Sequence, residues 1–255
     1  MKRTVFGTAN FRAKVHRAIL VGALSLTTSS SLLAATIAGW DFNSLPGGNA
    51  NFGPSPYAAT AADPNVISGG LTRGAGVSTA GTAAQRAWGG SGWDGNADAA
   101  AAIAAGDFVT FTLQPADGKT LSFSSLDPIQ YRRSGTGPAS GLLQYSTGGS
   151  FTNIASLDYS STSSSGASLS AINLSGIAAL QNIQPSTQIT FRIANWGASS
   201  SAGTWYLFDV GTDAGVHDFV VNGTTGVAVP EPATIALVGL CGIASCVANR
   251  RRRNG

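Results

Sequence analysis

Residues 107–113 read Asp-Phe-Val-Thr-Phe-Thr-Leu, and this stretch decides the fold. Val109, Phe111 and Leu113 fall on one side of an extended chain and Thr110 and Thr112 on the other, the period-two pattern of a strand with one buried face. The alternation recurs at Leu121 and Phe123 against Ser122 and Ser124, at Leu143 and Tyr145 against Gln144 and Ser146, and at Ile189, Phe191 and Ile193 against Thr190 and Arg192. Trp40 and Phe42 open the series and Phe219–Val221 closes it. Trp205–Val210 is apolar on both faces apart from Asp209, which predicts a central strand. Between these runs, Gly148-Gly149 and Asp117-Gly118 are hairpin signals. Ser175–Leu180 predicts one short helical turn, and the Gly-, Ala- and Pro-rich stretches 43–75 and 88–106 read as long loops. Short strands with almost no helix predict an all-β, antiparallel sandwich over residues 36–226. No repeat of fixed period points to a solenoid.

Composition supports this from the other side. The chain is 11% charged, against about a quarter in an average protein, and carries a single Glu, Glu231. That excludes coiled coils and helical bundles, which need Glu and Lys in heptads. The basic pI near 9.1 belongs to the two ends. Lys2, Arg3, Arg12, Lys14 and Arg17 precede Ala18, and Arg250, Arg251, Arg252 and Arg253 close the chain. Between residues 36 and 229, six Lys and Arg face eleven Asp, so the middle is acidic and a nucleic-acid partner is not expected.

The ends read as export and membrane signals. Five basic residues, the apolar run Ala18–Leu26, and a small-residue zone ending Leu32-Leu33-Ala34-Ala35 form the three regions of a secretory signal peptide, residues 1–35. Cleavage is expected near Ala35, with Ala34 and Ala38 as alternatives. Residues 227–255 hold Pro230-Glu231-Pro232, an uncharged apolar run at about 233–248, and the four Arg. As a helix that run spans roughly 24 Å, slightly short of the hydrocarbon core. The terminal Arg would hold its end on the cytoplasmic face as a membrane anchor, leaving the middle outside.

Pro-Glu-Pro, a short apolar helix and an Arg cluster at the terminus resemble the PEP-CTERM sorting domain of Gram-negative bacteria. Pro230, Glu231 and Pro232 match the name-giving motif. The resemblance covers about residues 228–253. It implies an inner-membrane-anchored precursor, recognition by an exosortase, a membrane-embedded Cys peptidase, and delivery to the cell surface or extracellular matrix, often alongside exopolysaccharide production. The plain alternative is a tail anchor with an accidental motif. Trp40-Asp41-Phe42, Tyr145–Phe151 and Asp218–Gly223 give the middle a resemblance to the jelly-roll β-sandwiches of exported proteins of this type, a fold that by itself assigns no function.

Residues that carry chemistry are sparse. The exported middle has one His, His217, no Cys and no Glu, and lacks a Gly-x-Ser-x-Gly elbow, so no enzyme is expected. Asp94, Asn96 and Asp98 begin like a calcium loop, but Ala99 and Ala105 stand where that loop needs Gly and Glu. Asp41 and Asp218 offer a second weak calcium pair, if the first and last strands meet. No cofactor is expected beyond such structural calcium. Trp88 and Trp93, joined by Gly-Gly-Ser-Gly, offer rings on which sugars stack, or aromatic cover for the open edge of the sandwich. Two functions follow: a surface or matrix structural and adhesion protein, or a carbohydrate-binding module for exopolysaccharide using Trp88 and Trp93.

Overall fold

In the computed structural model, which describes residues 34–211 and 217–229, strands dominate. In chain order they are β1 (Ala35–Trp40), β2 (Gly48–Asn49), β3 (Ala61–Ala62), β4 (Val66–Ser68), β5 (Thr72–Arg73), β6 (Thr82–Ala83), β7 (Ala87–Gly90), β8 (Phe108–Pro115), β9 (Lys119–Leu126), β10 (Gln130–Arg133), β11 (Ser140–Ser146), β12 (Thr152–Asp158), β13 (Ala167–Ser168), β14 (Ile172–Asn173), β15 (Ile189–Trp196), β16 (Trp205–Phe208) and β17 (Phe219–Val227). The deciding stretch behaves as its pattern requires. Every second residue of β8, from Val109 to Pro115, is buried.

Three sheets and a ribbon result, and every pairing is antiparallel. The first sheet runs β14-β9-β17-β1-β3, the second β13-β10-β16-β7, and the third β12-β11-β15-β8-β4 with β5 also on β8. The ribbon is β2-β6. The first two sheets share one order: β9 continues into β10, β13 into β14 and β16 into β17, so three neighbouring stretches of chain run through both. They form one bent layer interrupted at Asp127–Ile129 and before Phe219. Within the first sheet, β9 and β17 shift register between Asn222 and Gly223. Gly223 is obligatory there, because a Cβ would sit 2.2 Å from both Ile37 Cδ1 and the Ser122 carbonyl oxygen.

Aromatic rings fill the space between this layer and the third sheet. Phe111 of β8 lies 5.4 Å from Trp40 of β1 and 5.4 Å from Phe219 of β17, edge-on in both cases, and stacks on Phe191 of β15 at 4.9 Å. Phe191 in turn meets Phe123 of β9 at 5.3 Å. Toward the second sheet, Trp205 contacts Trp93 and Tyr159. With few charges available, this apolar and aromatic burial is the main favourable term.

The strands predicted around Val109, Leu121, Leu143, Ile189, Trp205 and Phe219 are all present, and the short turn becomes a 3-10 helix at Ala178–Leu180. Gly148-Gly149 does join a hairpin, β11 with β12. Asp117-Gly118 does not. It carries the chain from β8 in the third sheet to β9 in the first, since the buried faces of these strands oppose each other across the core rather than lying side by side. The loop expected at 88–106 contains most of β7 and a helix, α1 (Ala99–Ala105). Asp98 caps α1 by accepting from the Ala101 N–H at 2.9 Å, and Gly106 ends it at φ 85°. Such a cap contributes about 1 kcal/mol. The stretch 43–75 likewise holds β2 to β5. Among the described residues no helix is long and apolar enough to cross a membrane. The expected signal helix and the helix at about 233–248 lie outside the described residues.

Candidate functional site

Trp88 lies in β7, flanked by a sheet partner and fixed by its own polar edge. Its Nε1 donates to the Pro54 carbonyl at 2.7 Å, and the Arg73 guanidinium sits 4.7 Å from the ring centroid. Trp93 Nε1 donates to the Gly90 carbonyl at 2.9 Å, and its ring meets Trp205 edge-on. Their exposures are 0% and 1%. A sugar needs an open ring face, so the stacking platform expected of Trp88 and Trp93 is corrected: both rings belong to the core.

The loop expected to resemble a calcium site is taken up by internal bonds. Asp98 caps α1, and Asn96 Nδ2 donates to Asp107 Oδ2 at 2.6 Å. Asp107 is buried under this loop, and burial together with the charge of Asp94 pushes its carboxyl up to about 6. The sequence pattern is therefore explained by a helix cap and a loop clasp. Among the described residues no group of three or more His, Cys, Asp or Glu is arranged to hold a metal ion.

The first and last strands do bring Asp41 and Asp218 into one neighbourhood, because β1 and β17 pair from Ala35↔Gly223 to Trp40↔Phe219. Asp209 joins them. Asp218 Oδ2 accepts from the Phe42 N–H at 2.7 Å, Asp41 Oδ1 from the Asn43 N–H at 2.8 Å, and Asp209 Oδ2 from Asn43 Nδ2 at 3.1 Å. Arg86 pairs with Asp209 at 3.4 Å. Burial pushes the Asp218 carboxyl up to about 7; the Phe42 N–H opposes this, and the charges of Asp209 and Asp41 add to it. His217 Nδ1 lies 3.2 Å from Thr60 Oγ1, which also donates to the Gly39 carbonyl and accepts from the Asp41 N–H. The hydroxyl beside this imidazole is thus engaged with the backbone.

A pH dependence follows from Asp218. Its native carboxyl holds a proton that the unfolded chain, with an ordinary carboxyl near 4, gives up. Stability from this group is complete below about pH 4 and falls as pH rises toward 7. Asp107 adds the same sign up to about 6. Asp218→Asn keeps an acceptor for the Phe42 N–H and removes the charge. We expect the variant to melt several degrees above wild type at pH 8, on the order of 1–3 kcal/mol, with the gap closing at pH 4. Thermal unfolding of both proteins from pH 4 to 8 measures this, and parallel curves would exclude it.

At the end of β17 the chain leaves the sheet. The Ala228 N–H donates to the Gly118 carbonyl at 3.0 Å, and Val227 and Val229 are 74% and 77% exposed. The segment that begins here is the one singled out by its motif. Pro230, Glu231 and Pro232 and the terminal Arg250–Arg253 lie outside the described residues. Residues 228–253 match the model of the PEP-CTERM protein-sorting motif. The signal implies an exported protein recognised by an exosortase. No curated protein and no solved structure matches the chain.

Proposed function

We propose that this chain, which carries a PEP-CTERM sorting motif, is a non-catalytic surface or matrix protein. On this reading a jelly-roll-like sandwich is delivered outside a Gram-negative cell by an N-terminal signal peptide and a C-terminal sorting segment. The observation that supports it is the junction at residues 227–229: the motif begins one residue after β17 ends, on a stretch exposed to any enzyme that reads it. The precursor would be held in the inner membrane by the helix at about 233–248 and the Arg tail, then processed by exosortase. Signal cleavage fits best next to Ala35 or Ala34. Cleavage after Ala38 would remove Ile37 and Ala38, both buried in the sheet. The carbohydrate-module reading has lost its ring platform, so adhesion or cross-linking through the outer faces is preferred.

Glu231→Ala tests the sorting reading. Glu231 is the single Glu of the chain and stands between two Pro, so it is the charged handle we expect the enzyme to read. The variant is expected to accumulate as a membrane-bound precursor heavier by the mass of the tail, and wild type as a shorter product, by intact mass of each from cells. Identical mass and location for the two would leave only a plain tail anchor.

A further inference from the structure

A groove of about 360 Å³ opens on the outer side of the second sheet. Its walls are β6, the end of β10, Thr204 just before β16, and the loop at 162–164. Its floor is a small apolar cluster separate from the main core, in which Tyr206 stacks on Phe52 at 5.8 Å beside Phe208 and Ala83. Arg132 lines the groove, with its guanidinium 5.5 Å from the buried Phe208 ring.

The hydrogen-bond inventory sets Arg132 apart. Arg73 donates to three carbonyls, Arg86 to Asp209 and Gly211, Arg133 to the carbonyls of Tyr159, Ser134 and Gly137, and Arg192 to Gln144. Among the described residues Arg132 alone of the arginines has no acceptor for its N–H groups, although the ring beneath fixes its place. The same holds for the hydroxyls of Thr82, Thr162, Ser164, Thr204 and Tyr206, which line the groove and make no hydrogen bond to another described residue. No carboxylate lines it. A fixed guanidinium without a counter-charge is built to take an oxyanion through two parallel N–H bonds. Hydroxyls donate and accept, so several of them around one small groove suit a ligand that is itself a polyol. One compact molecule satisfies both demands.

We propose that this groove binds a hydroxylated carboxylate, the uronic acid unit of an acidic saccharide, with the carboxylate on Arg132 and the ring hydroxyls on the Thr, Ser and Tyr side chains. A neutral sugar leaves the guanidinium unmatched. An acidic peptide leaves the hydroxyls unmatched, and the overall acidity of the exported middle disfavours long polyanions that would touch more than the groove. The proposal stands on the groove alone and does not need the sorting reading.

Calorimetric titration of the full chain with trigalacturonate tests it. Saturable binding is expected, weakening with added salt, with maltotriose at least tenfold weaker and hexaglutamate no stronger than maltotriose. Arg132→Gln should lower trigalacturonate affinity at least tenfold while leaving the melting temperature near that of wild type. If that variant fails to fold, the paired change Thr162→Ala and Ser164→Ala, on an exposed loop, should lower affinity at least threefold. Equal affinity for trigalacturonate and maltotriose, hexaglutamate binding as tightly as trigalacturonate, or affinity unchanged in whichever variant folds would each overturn the proposal.

Discussion

Arg73→Ala is expected to destabilise the protein by about 2–4 kcal/mol. The guanidinium is partly buried, and that burial lowers its pKa to about 10. Among the described residues it has no carboxylate partner. Instead Nε donates to the Gly89 carbonyl at 2.5 Å, and Nη2 donates to the Phe52 and Gly53 carbonyls. One side chain thus ties the segment before Pro54 to β7, and its face packs on Trp88. Removal leaves the Gly89 and Gly53 carbonyls without this donor and the Phe52 carbonyl with the Gly89 N–H alone at 3.4 Å, so the loss is the desolvation of those groups as well as the bonds. Arg73→Lys should recover only part of it, because an ammonium cannot span acceptors arranged for a planar fork. Urea unfolding read by Trp fluorescence measures both. A loss under about 1 kcal/mol for Arg73→Ala would mean that the segment is held by other contacts.

Phe111→Ala should cost a similar amount, about 4 kcal/mol. Its ring touches Trp40 and Phe219 in one layer and Phe191 in the other, so the cavity would open where the layers meet. Neighbours belonging to two sheets cannot all close in on the gap, which places the cost at the upper end of the range for large-to-small changes. Phe111→Leu keeps most of the volume and should cost about 1–1.5 kcal/mol. Because small domains are stable by about 5–15 kcal/mol, Arg73→Ala and Phe111→Ala combined are expected to leave little folded protein at 37 °C. Equal losses for Phe111→Ala and Phe111→Leu would show that volume at this position is not what matters.

The strands were legible where one face was buried and the other wet, as in β8, β9, β11 and β15. They were not legible where they are two or three residues long, as in β2 to β6, because period two has no room to repeat. Helix α1 carries its own signals: Asp98, an Ala-rich run and Gly106 are a cap, a helix former and a stop in order. Its position inside a Gly- and Ala-rich stretch hid it. The burial of Trp88 and Trp93 has a different source. Glycine spacing suggested an open loop, whereas those glycines let neighbouring backbone approach. A Cβ on Gly89 would sit 2.1 Å from the Trp205 carbonyl oxygen. Asp41 and Asp218 come near each other because β1 and β17, the first and last strands in the chain, pair side by side. The groove at Arg132 had no sequence signature, since its lining comes from four separate stretches of chain and an unmatched Arg is visible only once its neighbours are placed.

The pairing of β1 with β17 also sets a timetable. Ala35 meets Gly223 and Trp40 meets Phe219, so the ladder joins residues nearly the whole length of the domain apart. Contacts of such separation form late, because the entropy of closing the loop must be met before they reward the chain. β17 also lies between β9 and β1, so without it the first sheet is cut into two pieces with raw edges. A chain emerging from its N-terminus would expose β1 early and leave it without its long partner until residue 227 is through. Completion of the first sheet therefore waits for residue 227, and the segment that follows it is the next to arrive.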